Sequence, residues 1–258
     1  MSDTLTMLLN RRSIRLFEQK PIPPEKKELV MQAIMRAPTA GNMMLYSVID
    51  VEIDAYKEKL AETCDNQPFI AKSPWVLLFL ADYQRWWDYF TYSGVFEKCK
   101  DQNIEMRKPE AGDLMLAISD ALIAAQTAVV AADSLGLGSC YIGDIMEKYE
   151  VHKEMFKLPR YVFPIALLCI GTPVETELTR RGTPRFPRDY VVHSNVYRPL
   201  PKEEVAQFEE PLLKRYHPEK NFREGIDNYA QQVFFHKYNA AFSYELNRSV
   251  KTILKNWE

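Results

Sequence analysis

The 258-residue chain is 47% hydrophobic, enough to bury a full core, and its length admits one large domain or two small ones. Its 33 Lys and Arg nearly cancel its 35 Asp and Glu, so a formal charge of -2 excludes the broad field that would favour nucleic acid or an anionic membrane. Any anion must be held by a local cluster.

The N-terminal stretch MSDTLTMLLNRR has no basic segment ahead of its short apolar run, which makes a poor signal peptide and sets a cytoplasmic location as the expectation. It leads into Arg11-Arg12-Ser13-Ile14-Arg15, read as about one helical turn with Arg11 and Arg15 on one face. Three guanidiniums and a hydroxyl suit a phosphate dianion, and equally suit a solvated basic turn. From Glu25 to Ala37 the apolar residues recur at helical spacing behind Pro23 and Pro24, predicting a helix. Apolar runs at 47–53, 75–81 and 165–170 predict buried strands. The aromatic run Trp86-Trp87-Asp88-Tyr89-Phe90-Thr91-Tyr92 is too dense for one buried stripe, so some of these rings must be partly exposed.

Leu114–Leu135 approaches the length of a membrane span, but Asp120, Gln126 and Asp133 interrupt it, and a core helix stopped by Gly136 and Gly138 is the better reading. The following GLGSCYIG has Tyr141 where a dinucleotide fingerprint needs its third Gly, and it follows a helix instead of a strand. No Walker-type loop or G-x-S-x-G elbow occurs. His152, His193, His217 and His236 lack metal-like or triad-like spacing, and Cys64, Cys99, Cys140 and Cys169 form no C-x-x-C pair, so the cysteines read as reduced, mostly packed thiols. Between Gly171 and Pro201 lies an aperiodic stretch with a second basic cluster, Arg180-Arg181-Gly182-Thr183-Pro184-Arg185; a segment this long reads as a functional loop or an arm around a partner. The last ~30 residues return to helix-compatible composition. Helices outnumbering a few strands, without strict alternation, predict an α+β fold.

Taken in order, RRSIRLF at 11–17, RAPTAGNM at 36–43, NQPFIAKSPWVLLFLADYQR at 66–85, AVVAADSLGLGSCYIGDI at 128–145 and IALLCIGTPVE at 165–175, then PRFP and VVHSNVYRPL, resemble the FMN-dependent nitroreductase family. The likeness is strongest to its NADPH-preferring nitro and flavin reductases and covers roughly residues 8 to 200. It implies an intertwined α+β homodimer with a mainly antiparallel sheet, an FMN-binding core over 1–200, and a helical extension over 201–258. It further implies a ping-pong cycle in which NADPH or NADH reduces FMN, and nitroaromatic, quinone or flavin acceptors then take the electrons. By the same resemblance Arg11, Arg12, Ser13 and Arg15 approach the phosphate, ribityl and pyrimidine side of the flavin. Thr39, Gly41, Asn42 and Gln67 line the ribityl chain and ring, and Tyr141, Ile142 and Gly143 lie along the ring. Arg185, helped by Arg181, closes on the phosphate, and Arg223 reaches the NADPH 2′-phosphate. No side chain is expected to be catalytic in its own right, because the hydride chemistry belongs to the cofactor.

Three positions depart from the family pattern. Met44 stands where relatives often carry Gln, Thr183 where a basic residue is common, and Asp144 where relatives tend to have Gly. They leave room for a second reading, a protein that stores or senses flavin with little turnover, and for a third, an anion-binding module without flavin.

Overall fold

The computed structural model describes residues 3–219 and 221–258; Met1 and Ser2, which open the N-terminal stretch discussed above, lie outside the described residues. In chain order the elements are α1 (Asp3–Asn10), α2 (Pro24–Ile34), β1 (Tyr46–Asp50), α3 (Asp54–Thr63), β2 (Trp75–Asp82), α4 (Gln84–Tyr92), α5 (Val95–Asp101), α6 (Ala111–Ser134), β3 (Gly138–Ile142), α7 (Tyr149–Met155), β4 (Val162–Gly171), α8 (Glu175–Thr179), α9 (Val205–Tyr216), α10 (Tyr229–Val233) and α11 (Ala241–Leu254). The fold is α+β, with a sheet in the order β1-β2-β4-β3 and every pairing antiparallel. The chain forms two compact units, one of residues 1–180 with 245–258, the other of residues 181–244.

The first unit contains the sheet, covered on both faces. Trp75, Leu77, Phe79 and Ala81 of β2 enter one apolar cluster while Val76, Leu78 and Leu80 enter the other. That is why β2 reads as an unbroken apolar run, since side chains alternate across a strand and neither face meets water. A bulge between Phe79 and Leu80 resets the register against β4.

Helix α6 lies over one face and uses small residues to approach the sheet. Ala117, Ala121, Ala124, Ala125, Ala128, Val129 and Ala132 are buried at helical spacing. Its opposite side exposes Met115, Leu116, Leu122 and Ile123. Gly136, at φ 74, supplies the left-handed turn that ends the helix and starts β3.

Residues 11–16 are not helical, contrary to the one-turn reading. Helix α1 stops at Asn10, and the chain then runs alongside β3 and the end of β4. The Ile14 N–H donates to Ser139 O at 2.9 Å, the Glu18 N–H to Thr172 O at 2.9 Å, and Phe17 bridges Pro173. Tertiary pairing with an open sheet edge has overridden local helix propensity. Two glycines admit this close approach. A Cβ at Gly138 would sit 2.6 Å from Ile14 Cγ1, and one at Gly171 would sit 2.8 Å from the Phe17 ring.

The second unit holds most of the aperiodic stretch, together with α9 and α10. Within it Phe186 stacks on Phe208 at 3.9 Å, Tyr190 meets Phe208 edge-on, and Arg198 pairs with Glu204. A single π-type turn spans Phe234–Tyr238.

Candidate functional site

Arg11, Ser13 and Arg15 gather beside β3, and Gln67 reaches the turn that follows it. Arg11 and Arg15 both act electrostatically on Cys140, whose neighbour Ser13 hydrogen-bonds it, and Arg180 adds a third positive charge. Burial nevertheless pushes the Cys140 thiol up, so it is an inert packed group. Tyr141 is likewise raised by burial, with Arg11 opposing, and its hydroxyl reaches Gln126 Oε1 at 3.4 Å.

The arginines divide the work. Arg12 turns its donors to carbonyl oxygens, Nε to Glu177 at 2.8 Å, Nη2 to Leu178 at 2.5 Å and Nη1 to Asn10 at 3.4 Å. Arg180 donates to Ser13 O and to Glu177 Oε2. Both therefore brace the 11–16 segment against α8. Arg11 differs, because its Nη1 is buried with no hydrogen-bond partner. A buried unspent guanidinium donor is costly unless an acceptor arrives. It lines a cleft of about 200 Å³ with Asn10, Asp133, Gly136, Gly138 and Leu178 among its walls. Burial holds the Asp133 carboxyl up at about 6, against the pull of Arg11 and Arg12.

Arg15 is exposed and lies 6.0 Å over the Phe69 ring, which ties it to the loop carrying Gln67. Gln67 Nε2 donates to Cys64 O at 3.0 Å and to Asp144 Oδ2 at 2.8 Å. Both partners are acceptors, so the amide orientation is determined and Oε1 is left to accept from a ligand. Gly143 is exposed, and nothing lies within 4 Å of the place a Cβ would take, so the backbone there is open to a flat molecule.

Thr39, Gly41 and Asn42 form a tight turn, with Gly41 at φ 56, Asn42 at φ 57 and Met44 at φ 50. The loop is held from below by a residue that sequence reasoning used only to argue against a membrane span. Asp120 of α6 accepts from the N–H of Ala40 at 2.9 Å and of Leu45 at 3.0 Å. Thr39 Oγ1 accepts from the Met44 N–H at 3.2 Å. Arg181, Arg185 and Arg223 belong to the second unit, where all three are exposed.

Sequence reasoning also passed over Glu147. It is 4% exposed, its Oε1 has no partner, and burial with the neighbouring Asp144 and Asp65 carries its carboxyl up to about 7. Its place in the sequence, among charged residues after β3, gives no sign of this burial. Among the described residues no group of His, Cys, Asp and Glu is arranged to hold a metal ion.

The Nitroreductase family model matches residues 8–172. The chain belongs to the nitroreductase family. It is 31% identical over 216 residues to an oxygen-insensitive NADPH nitroreductase of Salmonella typhimurium, covering 84% of this chain and 83% of that one. It is 30% identical over 245 residues to the FMN reductase [NAD(P)H] of Bacillus subtilis, covering 91% and 94%. The NfrA1 nitroreductase of Bacillus subtilis superposes with a TM-score of 0.79 at 25% identity, over 97% of this chain and 98% of that one. The structural match covers 97% of this chain, so the likeness extends into both units.

Proposed function

We propose that this nitroreductase is an FMN-dependent NAD(P)H oxidoreductase that passes electrons in turn from reduced nicotinamide to a nitroaromatic, quinone or flavin acceptor. The observation that carries the reading is the unpartnered buried Nη1 of Arg11, near the start of β3, together with an open backbone at Gly143, just past the end of the same strand. A phosphorylated planar ligand satisfies the first with its anion and occupies the second with its ring. The names of the two relatives, NADPH nitroreductase and FMN reductase, support the same choice.

In this reading Arg11 and Ser13 receive the phosphate and ribityl side, while Arg12 keeps the segment in register. Arg15 supplies positive charge toward the pyrimidine side, where charge builds up on reduction. Gln67 offers its Oε1, and Thr39, Gly41 and Asn42 form the wall that Asp120 anchors. Tyr141, Ile142 and Gly143 give the ring a floor. When bound, FMN accepts a hydride and passes the electron pair on; the residues need only bind, orient and stack.

The reading includes a homodimer. Met115, Leu116, Leu122 and Ile123 make an apolar stripe on the outer side of α6, and Leu5, Leu8 and Leu9 of α1 are exposed as well. Exposed apolar side chains in this number on one helix face suit a protein partner of the same chain. A cytoplasmic setting supplies reduced nicotinamide and keeps thiols such as Cys64, Cys140 and Cys169 reduced.

The visible absorption spectrum of the purified protein, recorded without oxygen before and after NADPH, tests the central claim. Flavin bands that bleach on mixing are expected. Bands that persist would leave a flavin-storing protein, and their absence after adding FMN would overturn the reading.

A further inference from the structure

A carboxyl pair sits at the C-terminal end of β3, where the chain turns from Gly143 into α7. Glu147 is buried, and no cationic side chain hydrogen-bonds it; one oxygen has no partner at all. Its carboxyl hydrogen-bonds the side chain of Asp144. An ionised carboxylate with a bare buried oxygen would be heavily penalised, so Glu147 is the protonated member and donates to Asp144. Asp144 is half-buried, directly follows the exposed Gly143 and accepts from Gln67 Nε2 at 2.8 Å. The inner carboxyl thus holds a proton, and the outer one connects it to the open side.

We propose that Glu147 and Asp144 hold one mobile proton between them and deliver it to the acceptor as that acceptor is reduced. The inference rests on the reductase reading above. A quinone becomes a hydroquinone by taking one hydride, whose electron pair comes from the reduced nicotinamide, and one proton. As the acceptor O–H bond forms, the Glu147 O–H proton crosses to the Asp144 carboxylate and from there to the acceptor oxygen, and a proton from water then restores Glu147. The nicotinamide is oxidised and the quinone reduced, so charge and atoms balance. No histidine competes for this role among the side chains facing the pair. His152 is fully buried behind it, with Nδ1 on Ile145 O and Nε2 on Thr63 Oγ1, each at 2.8 Å, and burial holds it down at about 4.

The groups acting on Glu147 come from three directions. Asp144 lies on its own turn, Asp65 follows α3, and Lys148 opens α7 and opposes them; Cys64, at the end of α3, feels the charge of both Asp144 and Glu147. Two carboxylates against one Lys favour the protonated form near neutrality. The Glu147 proton is available to an acceptor until pH rises past about 7.

The test uses the FMN-loaded protein and two variants, Glu147→Gln and Asp144→Asn. Infrared spectra of the parent minus those of Glu147→Gln, across neutral pH, are expected to show a protonated carboxyl band that vanishes as pH rises, separate from the Asp133 band that both proteins share. In stopped-flow mixing of the NADPH-reduced protein with a benzoquinone, the parent's reoxidation rate should fall as pH passes about 7. Both variants should reoxidise more slowly, by about 10²-fold, with that pH dependence gone. Asp144→Asn can still accept from Gln67 through its amide oxygen, so a purely structural role predicts that it behaves like the parent. An Asp144→Asn profile like the parent's, or a parent without the titrating band, overturns the inference. A protein that binds FMN and is bleached by NADPH yet shows either result loses only this inference. One that never bleaches loses the reductase reading, and the proton delivery with it.

Discussion

Arg11 and Arg12 are adjacent and chemically identical, yet one is spent on backbone carbonyls and the other keeps a buried donor in reserve. Composition shows the cluster, but only the path of the chain decides which guanidinium is free. Replacing Arg11 with Ala should therefore weaken FMN binding by about 10- to 100-fold, the worth of one charge-assisted hydrogen bond, measured by fluorescence titration of the apoprotein. Arg11→Lys should recover part of the loss. Glu147 makes a prediction of another kind. Its carboxyl ionises at about 7 in the folded chain against 4.5 for the free group, so between those values the unfolded state has lost a proton that the native state keeps. Stability contributed by this group is full below about pH 4.5, falls as pH rises, and is lost above about 7. His152 has the opposite sign, being held down at about 4 from 6.5, so its contribution is lost as pH falls through that window. The two nearly cancel between them in the parent. Glu147→Gln should gain about 2 to 3 kcal/mol over the parent at pH 8 and little at pH 4.5, by urea unfolding. An equal gain at both pH values would show that the carboxyl is not buried as a neutral acid.

At the scale of elements, the edge of the sheet and the long helix carry the arrangement. The 11–17 segment lies against β3 and β4 because Gly138 and Gly171 offer no Cβ to the side chains of Ile14 and Phe17. Gly138→Ala should cost about 1 to 3 kcal/mol by overpacking and should weaken FMN binding with it, since Arg11 and Ser13 move with Ile14. Thermal melting and flavin titration on the same variant check both effects. Stability lost with binding kept would show that the segment adjusts independently of the site. The β2 and β4 runs were readable as buried strands because both faces of the sheet are covered, which makes the apolar pattern continuous. The 11–15 turn was misread as helix because its partner, the edge of β3, is more than 120 residues away and leaves no periodic trace. Asp120 was visible as a polar break in an apolar helix. Its role as anchor of the 39–45 loop was not, because the two N–H groups it accepts from are 75 and 80 residues distant.

For the whole molecule, the outer face of α6 decides the expected assembly. A helix that buries alanines on one side and exposes Met115, Leu116, Leu122 and Ile123 on the other has only half of its apolar surface covered. Ile123→Glu with Leu122→Glu should shift the protein from twice the chain mass to the single chain in light scattering, with flavin affinity falling alongside, as for a site completed across a dimer. A doubled mass that survives both charges would place the interface elsewhere.

What the sequence by itself determined was the class of fold, the strands β1, β2 and β4, the long helix and the family, because these rest on local periodicity and on ordered motifs. It also singled out the arginines, the 39–42 turn and the 141–143 segment as ligand-facing candidates. Only the tertiary structure decided which donors are already spent, which carboxyl is buried beside which, and that the first arginine motif runs along a sheet edge. Hydrogen-bond partners and desolvation depend on groups brought together from distant parts of the chain, and neither quantity is encoded in the spacing of neighbours.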